Sequence, residues 1–168
     1  MKHQIEQSIK VNVPAETLWQ IMKDFSSVEK YATTIESSPI INDIHSGLGA
    51  KRLCTFSDGS SLVEEIIEYN EGQSFKMELS EYSMPLKYMF AEMQVKSIDA
   101  KTSELSMSSE FSVKAGILGW FMGAALMCPM MKGVFKKLMT GLAYYAVTGE
   151  SIAKKLPPKE KLTNLVLN

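Results

Sequence analysis

Hydrophobic positions in the first 25 residues change from a strand-like to a helical spacing. Ile5, Ile9 and Val11 lie on one side of an alternating pattern with polar neighbours, which is typical of a strand buried on one face. After Pro14 the apolar residues recur every three or four positions, at Leu18, Trp19, Met22 and Phe25. The pattern therefore predicts a strand that ends at Pro14, an amphipathic helix and a second short helix near residues 27–31.

The middle of the chain, from residue 37 to residue 113, has the alternating hydrophobic pattern of successive short strands. Apolar alternating runs are separated by turn-forming Gly, Asn and Asp residues, and they read SPIINDI, GLGAKRLCTF, SSLVEEIIEY, FKMELSEY, YMFAEMQVKSI and SELSMSSEFSV. In the last run, Leu105, Met107 and Phe111 share one face, and serines and glutamates occupy the other. The pattern predicts a meander of antiparallel strands that is covered on one side only.

The cover is predicted to be a long helix from about residue 131 to residue 155. An apolar stripe at helical spacing supports it, formed by Met131, Phe135, Leu138, Leu142, Tyr145 and Ile152. Pro157 and Pro158 end this helix. The sequence thus predicts an α+β fold in one domain, residues 1–156, with a curved sheet of about six or seven strands and a C-terminal tail over residues 157–168.

Between the sheet and this helix lies a segment of seventeen residues, 115–131, that carries no charge. It is rich in Met and contains several glycines that could act as hinges. Three hypotheses follow. The segment could be a lid over a cavity, closed by Leu118, Trp120, Phe121, Met122 and Leu126. It could contact a membrane, with Trp120 and Phe121 inserted and Lys114, Lys132, Lys136 and Lys137 near the headgroups. It could also be a dimer interface.

Composition narrows the function. The net charge is −1, which gives no reason to expect nucleic-acid binding. Cys54 and Cys128 have no metal-ligand spacing, so neither a zinc site nor a disulfide framework is expected. The N-terminus lacks a signal-peptide pattern, and we expect a cytoplasmic protein, monomeric or homodimeric, that needs no cofactor and no metal.

The strand phases place a charged pair on the face that the helix covers. Arg52 and Glu64 both point inward in this register, and because an isolated buried charge is strongly unfavourable we expect them to pair. The pair is either structural or a polar anchor for a ligand. With Tyr145, whose hydroxyl could reach the interior, these two residues are the weak catalytic candidates. Trp19 is expected to pack in the core or at the end of a cavity.

Several short motifs resemble one known family. The opening VNVPAETLWQIMKDFSSVEKY, through Pro14, Trp19, Asp24 and Phe25, resembles the polyketide cyclase/dehydrase-like branch of the START and Bet v 1-like (SRPBCC) superfamily. GLGAKRLCTFSDGSSLVEEIIEYN resembles the same branch through Gly47, Gly49, Arg52, Asp58, Gly59 and Glu64. The apolar lead-in to the final helix, residues 116–142, is also similar to many bacterial members.

The resemblance implies a helix-grip fold, in which a curved sheet and a long C-terminal helix enclose an apolar cavity. The ligand-binding residues are then expected to be Trp19, Arg52, Phe56, Glu64, Ile66, Met77, Leu79, Met89, Met93, Met107, Phe135, Leu138, Leu142 and Tyr145. We expect a carrier or binding protein for a small hydrophobic ligand, such as a lipid, fatty acyl chain, sterol or polyketide. Two alternatives are a polyketide cyclase-like enzyme that uses the same cavity and a protein-interaction module that uses residues 115–131.

Overall fold

One antiparallel sheet of eight strands forms the scaffold of the protein. The computed structural model describes residues 2–167. The strands are β1 (His3–Val11), β2 (Ile35–Ser37), β3 (Lys51–Phe56), β4 (Ser61–Asn70), β5 (Ser74–Ser80), β6 (Leu86–Ser97), β7 (Ser103–Val113) and β8 (Val166–Leu167). Their spatial order is β2-β3-β4-β5-β6-β7-β1-β8. Five of the six predicted meander strands are confirmed as β3 to β7. The first was misplaced, because the run SPIINDI forms only an isolated bridge from Ile40 to Arg52 and β2 lies just before it. β1 pairs with the last strand of the meander.

Helices cover one face of this sheet. They are α1 (Ala15–Met22), a 3₁₀ turn (Val28–Lys30), α2 (Gly116–Met122), α3 (Cys128–Thr148) and the short α4 (Lys159–Leu162). A π-helical turn, Gly123–Met127, joins α2 to α3 without a break. The long helix packs mainly on β1, on β7 and against α1. This arrangement is the helix-grip fold that the sequence predicts.

The long helix differs from its prediction at both ends. Residues 116–131 are helical, where the sequence suggested a hinged flap, and α3 ends at Thr148 instead of residue 155. Gly149 terminates it in a left-handed conformation with φ of 70°, and its N–H donates to the Tyr145 carbonyl oxygen. Such a glycine cap stops a helix because the left-handed backbone cannot continue it.

Two glycines of residues 115–131 allow the helix to pack closely against neighbouring groups, a role different from the predicted one as hinges. A Cβ atom at Gly119 would overlap the backbone carbonyl of Lys114, and one at Gly123 would overlap the imidazole of His3. Gly116 alone has a positive φ, 56°, at the turn from β7 into α2. The hinge interpretation was therefore wrong for Gly119 and Gly123, since these residues let the helix approach the sheet edge.

The C-terminal residues are part of the fold. Val166 pairs with Val11 of β1, the Asn12 N–H donates to the Leu165 carbonyl oxygen at 2.8 Å, and the Leu165 side chain is buried. The sheet therefore has eight strands within the described residues, one more than the upper expectation, and Val166–Leu167 form one of its edges. The prediction of a C-terminal tail over residues 157–168 did not include this pairing, because a two-residue strand has no periodic signal.

Candidate functional site

A buried ion pair between β3 and β4 forms the polar centre of the interior. Arg52 and Glu64 are cross-strand neighbours, and their side chains lie on the face that the helices cover. The Arg52 Nε donates to Glu64 Oε2 at 2.6 Å, and Nη2 lies 2.5 Å from the same oxygen. Arg52 is only 3% exposed. The predicted pairing is confirmed.

The guanidinium is further held by Phe25, which follows α1, and by Met77 of β5. Its Nη1 donates to the Phe25 carbonyl oxygen at 2.8 Å, its Cζ lies 3.9 Å from the centre of the Phe25 ring, and Nη2 lies 3.9 Å from the Met77 sulfur. Burial favours the neutral form of Arg52, but the Glu64 carboxylate outweighs this effect and raises the pKa of the guanidinium. Arg52 is therefore a fixed cation, and each of its three guanidinium nitrogens already has a partner.

Two further ionisable side chains lie beside the pair and remain protonated. The Cys54 thiol donates to Glu64 Oε2 at 3.4 Å, and burial, followed by the Glu64 charge, raises the pKa of the thiol. Burial also raises the pKa of Tyr31 to about 12, although the Arg52 charge opposes this. Neither group is available as a thiolate or phenolate near neutral pH.

Glu64 is the accessible member of this cluster. Its side chain is 12% exposed, against 4% for Arg52. Oε2 accepts from Arg52 and Cys54, and within residues 2–167 no hydrogen bond reaches Oε1. The carboxylate therefore keeps one free acceptor on the interior side of the sheet.

Apolar side chains surround this polar centre in adjacent strands. Across the sheet, Ile66 pairs with Met77, Phe75 with Met93, and Met93 with Met107. Of the predicted ligand-binding residues, those that are buried besides Arg52 are Trp19, Ile66, Met77, Leu79, Met89, Met93, Met107, Phe135 and Leu142. Phe56, Leu138 and Tyr145 are half-buried at the margins. The structure thus brings the predicted strand residues together on one continuous apolar face.

Trp19 belongs to the core more than to a polar site. It is 1% exposed, and its indole N–H donates to Glu71 Oε1 at 2.8 Å. Tyr69 donates its hydroxyl to the other oxygen of the same carboxylate, and these two hydrogen bonds lower the pKa of Glu71. The indole therefore satisfies its donor at the hairpin between β4 and β5, as the core prediction requires.

The five residues predicted as a lid do not converge on the interior. Trp120 is half-buried, with its ring 5.7 Å from the His3 ring, which stacks in turn on Phe111. The side chains of Leu118, Phe121, Met122 and Leu126 face solvent. Their closing role stays a prediction, and in this structure they form an outer surface.

Tyr31 and Met139 were missed as interior residues, and the contact of Phe25 with Arg52 was not predicted. Tyr31 lies 6.4 Å from the Tyr145 ring, and the backbone of Tyr31 is packed against Gly141 of α3. Phe25 caps the guanidinium, and Met139, not Leu138, is the fully buried residue of that helical turn. Helical spacing could have found Met139, but the contacts of Tyr31 depend on the tertiary fold and leave no local signal.

An open groove of about 490 Å³ lies on the other face of the sheet, across β5, β6, β7 and β1. Its lining is mostly polar, with Lys76, Glu92 and Glu110 at its sides. It is therefore distinct from the apolar interior. The part of the chain that the structure describes contains no group of three or more His, Cys, Asp or Glu side chains placed to hold a metal ion.

Comparison with known proteins agrees with this geometry. A family model described as polyketide cyclase/dehydrase and lipid transport matches residues 2–147. The chain belongs to this family. The polyketide cyclase/dehydrase and lipid transport family lies within the SRPBCC, or Bet v 1-like, superfamily. Membership of this family indicates that the fold is one that binds hydrophobic ligands. No significant sequence match is found among curated proteins.

Several solved structures share the fold of this protein, although their sequences are less than 20% identical to it. The protein XoxI from Bacillus cereus is 18% identical, with a TM-score of 0.72 over 86% of this chain and 96% of that one. Norcoclaurine synthase from Thalictrum flavum, in complex with dopamine and hydroxybenzaldehyde, is 15% identical, with a TM-score of 0.68 over 90% of each chain. Ara h 8.0201 is 18% identical, with a TM-score of 0.65 over 84% of this chain and 98% of that one.

Proposed function

We propose that the protein binds a small hydrophobic ligand between the inner face of the sheet and the C-terminal helix. The observation that carries the proposal is the apolar, methionine-rich face around a single charged pair. Methionine side chains change rotamer at little cost, so Met77, Met93 and Met107 can make room for a guest. The lipid-transport description of the family supports the same interpretation.

The polar end of the ligand is proposed to be a hydrogen-bond donor. A ligand carboxylate would need free Arg52 donors, but the guanidinium already contacts Glu64, the Phe25 carbonyl and Met77. A ligand hydroxyl, by contrast, can donate to the free Oε1 of Glu64. A lipid alcohol or sterol is therefore favoured over a free fatty acid.

Binding without catalysis is favoured over the cyclase alternative. General acid–base catalysis works best with a group whose pKa lies near the operating pH, and the raised pKa values of Tyr31 and Cys54 keep both groups protonated. Glu64 is tied to a permanent cation. The cluster is therefore better suited to hold a polar group in place than to move protons.

Native mass spectrometry of the purified protein, followed by solvent extraction, tests the proposal directly. A lipid or another hydrophobic compound in stoichiometric amount would support it. The second step is titration with dehydroergosterol and cis-parinaric acid, which present a hydroxyl and a carboxylate to the same kind of pocket. We expect tighter binding of the sterol. A protein that purifies empty and binds neither probe would contradict the proposal.

A double variant isolates the role of the anchor. Arg52→Met/Glu64→Leu removes both charges together, so that no unpaired charge is left inside, and it is expected to weaken sterol binding. The matched control is Lys51→Met/Glu65→Leu, which removes the neighbouring cross-strand ion pair of the same two strands from their outer face. Equal sterol affinity in both double variants would contradict the proposal that the Arg52–Glu64 pair anchors the ligand hydroxyl.

A further inference from the structure

The outer side of the long helix carries an apolar ridge that has no partner in the described part of the chain. Leu118, Met122, Leu126, Met130 and Val134 follow one another at intervals of four residues, and all five are exposed. Leu118 is 71% and Leu126 is 65% exposed. Ile117 and Phe121 widen the N-terminal end of this ridge. The ridge spans about 24 Å at 1.5 Å per residue, which is far more than scattered surface residues would give.

The ridge is fixed in its outward orientation by the other side of the helix. Gly119 packs against the Lys114 carbonyl and Gly123 against the His3 ring, at distances that admit no side chain. Trp120 also stacks near His3 on that inner side. Because the inner face is already occupied, the ridge cannot turn inward without the loss of these contacts.

Only positive charges accompany the ridge. From residue 111 to residue 149 the chain contains four lysines and no acidic residue, in a protein of net charge −1. Lys114 precedes the ridge and Lys137 follows it, whereas Lys132 and Lys136 each come one residue after a buried position and lie on the other flank of the helix. All four side chains are exposed. The surface is therefore apolar along its length and cationic at both ends, which complements a layer of anionic headgroups over an acyl interior.

The burial of the second half of the helix indicates whether the protein could lie on a membrane or cross it. By length and composition the helix Gly116–Thr148 could span a bilayer. Its second half, however, belongs to the core of the fold, since Met139, Leu142 and Ala143 have no exposed surface. Crossing would require the sheet to lose this helix, whereas contact along the ridge leaves the fold intact.

We propose that the ridge docks the protein on the surface of an anionic membrane. In this arrangement the ridge enters the headgroup boundary, and Lys114 and Lys137 at its two ends contact lipid phosphates and carboxylates. A second copy of the chain is a poorer occupant. A two-fold contact through the ridge would place the lysines of both copies close together with no acidic partner on either helix. The proposal is independent of what the interior binds.

Vesicle co-sedimentation tests this docking. We expect the intact protein to bind vesicles of phosphatidylcholine with about 30 mol% phosphatidylserine, to bind pure phosphatidylcholine poorly, and to dissociate in about 0.5 M NaCl. Lys114→Gln/Lys137→Gln is expected to lower the apparent affinity about 30-fold. Leu118→Ser/Leu126→Ser/Met130→Ser is expected to lower it at least about tenfold on both kinds of vesicle.

A matched control uses exposed apolar residues elsewhere. Ile41→Ser/Ile44→Ser/Leu48→Ser removes three exposed apolar side chains from the loop before β3 and should leave vesicle binding unchanged. Equal binding by the control and by the ridge variant would overturn the proposal. Sedimentation as a dimer that the ridge substitutions dissociate, together with no vesicle binding, would overturn it in favour of a second copy.

Discussion

Two regions of the molecule reverse the usual distribution of polar and apolar side chains. Inside, Arg52 and Glu64 bring charge into the core; outside, the ridge from Leu118 to Val134 presents large apolar side chains to solvent. Each arrangement is unfavourable for an isolated soluble fold. Hydrogen bonds within the chain offset the cost of burying Arg52 and Glu64. No part of residues 2–167, by contrast, covers the exposed apolar side chains of the ridge. The first region is therefore complete on its own, and the proposed membrane docking would cover the second.

The largest effect is expected when the inner compensation is broken. Arg52→Met leaves the Glu64 carboxylate without its cation and should lower the free energy of unfolding by about 4 kcal/mol. Urea denaturation measures this. Lys51→Met, on the exposed face of the same strand, should change stability little because its ion pair is screened by solvent. Similar losses in the two variants would contradict the difference between the faces.

The two halves of the long helix can be compared through their glycines. Gly141→Ala places a methyl group on the Tyr31 carbonyl oxygen and should destabilise the fold by about 3 kcal/mol. Gly133 has open space around its Cα, so Gly133→Ala should stabilise the exposed half by about 0.5 to 1 kcal/mol. Thermal and urea unfolding of both variants check the signs. A destabilising Gly133→Ala would show that the exposed half is packed against something.

Alkaline titration probes the inner cluster in a different way. Because the pKa of Tyr31 rises to about 12 in the folded protein, the folded state holds the phenol proton more tightly than the unfolded state does. This contribution is fully present below pH 10 and is lost as the pH rises to about 12, by about 2 to 3 kcal/mol in total. The pH dependence of unfolding should be flatter in this range for Tyr31→Phe. Parallel curves for the two proteins would exclude the buried phenol as a cause.

The smallest stability effect is expected on the ridge. Leu118→Ser/Leu126→Ser/Met130→Ser removes side chains that contact mainly solvent, and the free energy of unfolding in the absence of membranes should change by only about 0.5 kcal/mol per site. Urea denaturation without vesicles gives this value. A loss of several kcal/mol would mean that these side chains are structural, and the contrast between the two regions would fail.

Sequence reasoning succeeded where a local period determines the outcome. The two-residue period of β3 and β4 placed Arg52 and Glu64 on one face, and the helical spacing after Pro14 identified Trp19 as a core residue. The hydrophobic pattern also gave the order of the elements, and the family resemblance then implied the helix-grip fold. These are the features whose physical cause is contained within about ten neighbouring residues.

The features that were missed depend on partners that are distant along the chain. Gly123 was interpreted as a hinge because nothing in the neighbouring sequence reveals the His3 ring packed against it. The pairing of Val166 with Val11 joins the two ends of the chain. The same is true of Tyr31, which lies beside Arg52 only after the sheet has formed. A single sequence contains no direct record of such contacts.

The π-helical turn at Gly123–Met127 has a geometric consequence for the surface beyond it. In a regular α-helix each residue turns the chain by about 100°, so a row of side chains spaced by four winds gradually around the axis. The wider turn takes up one extra residue and offsets part of this winding, which keeps Leu118 and Val134 closer to one line. Deletion of a single residue in this turn would rotate α3 relative to α2 about the helix axis. Leu118 and Val134 would then no longer lie along one line.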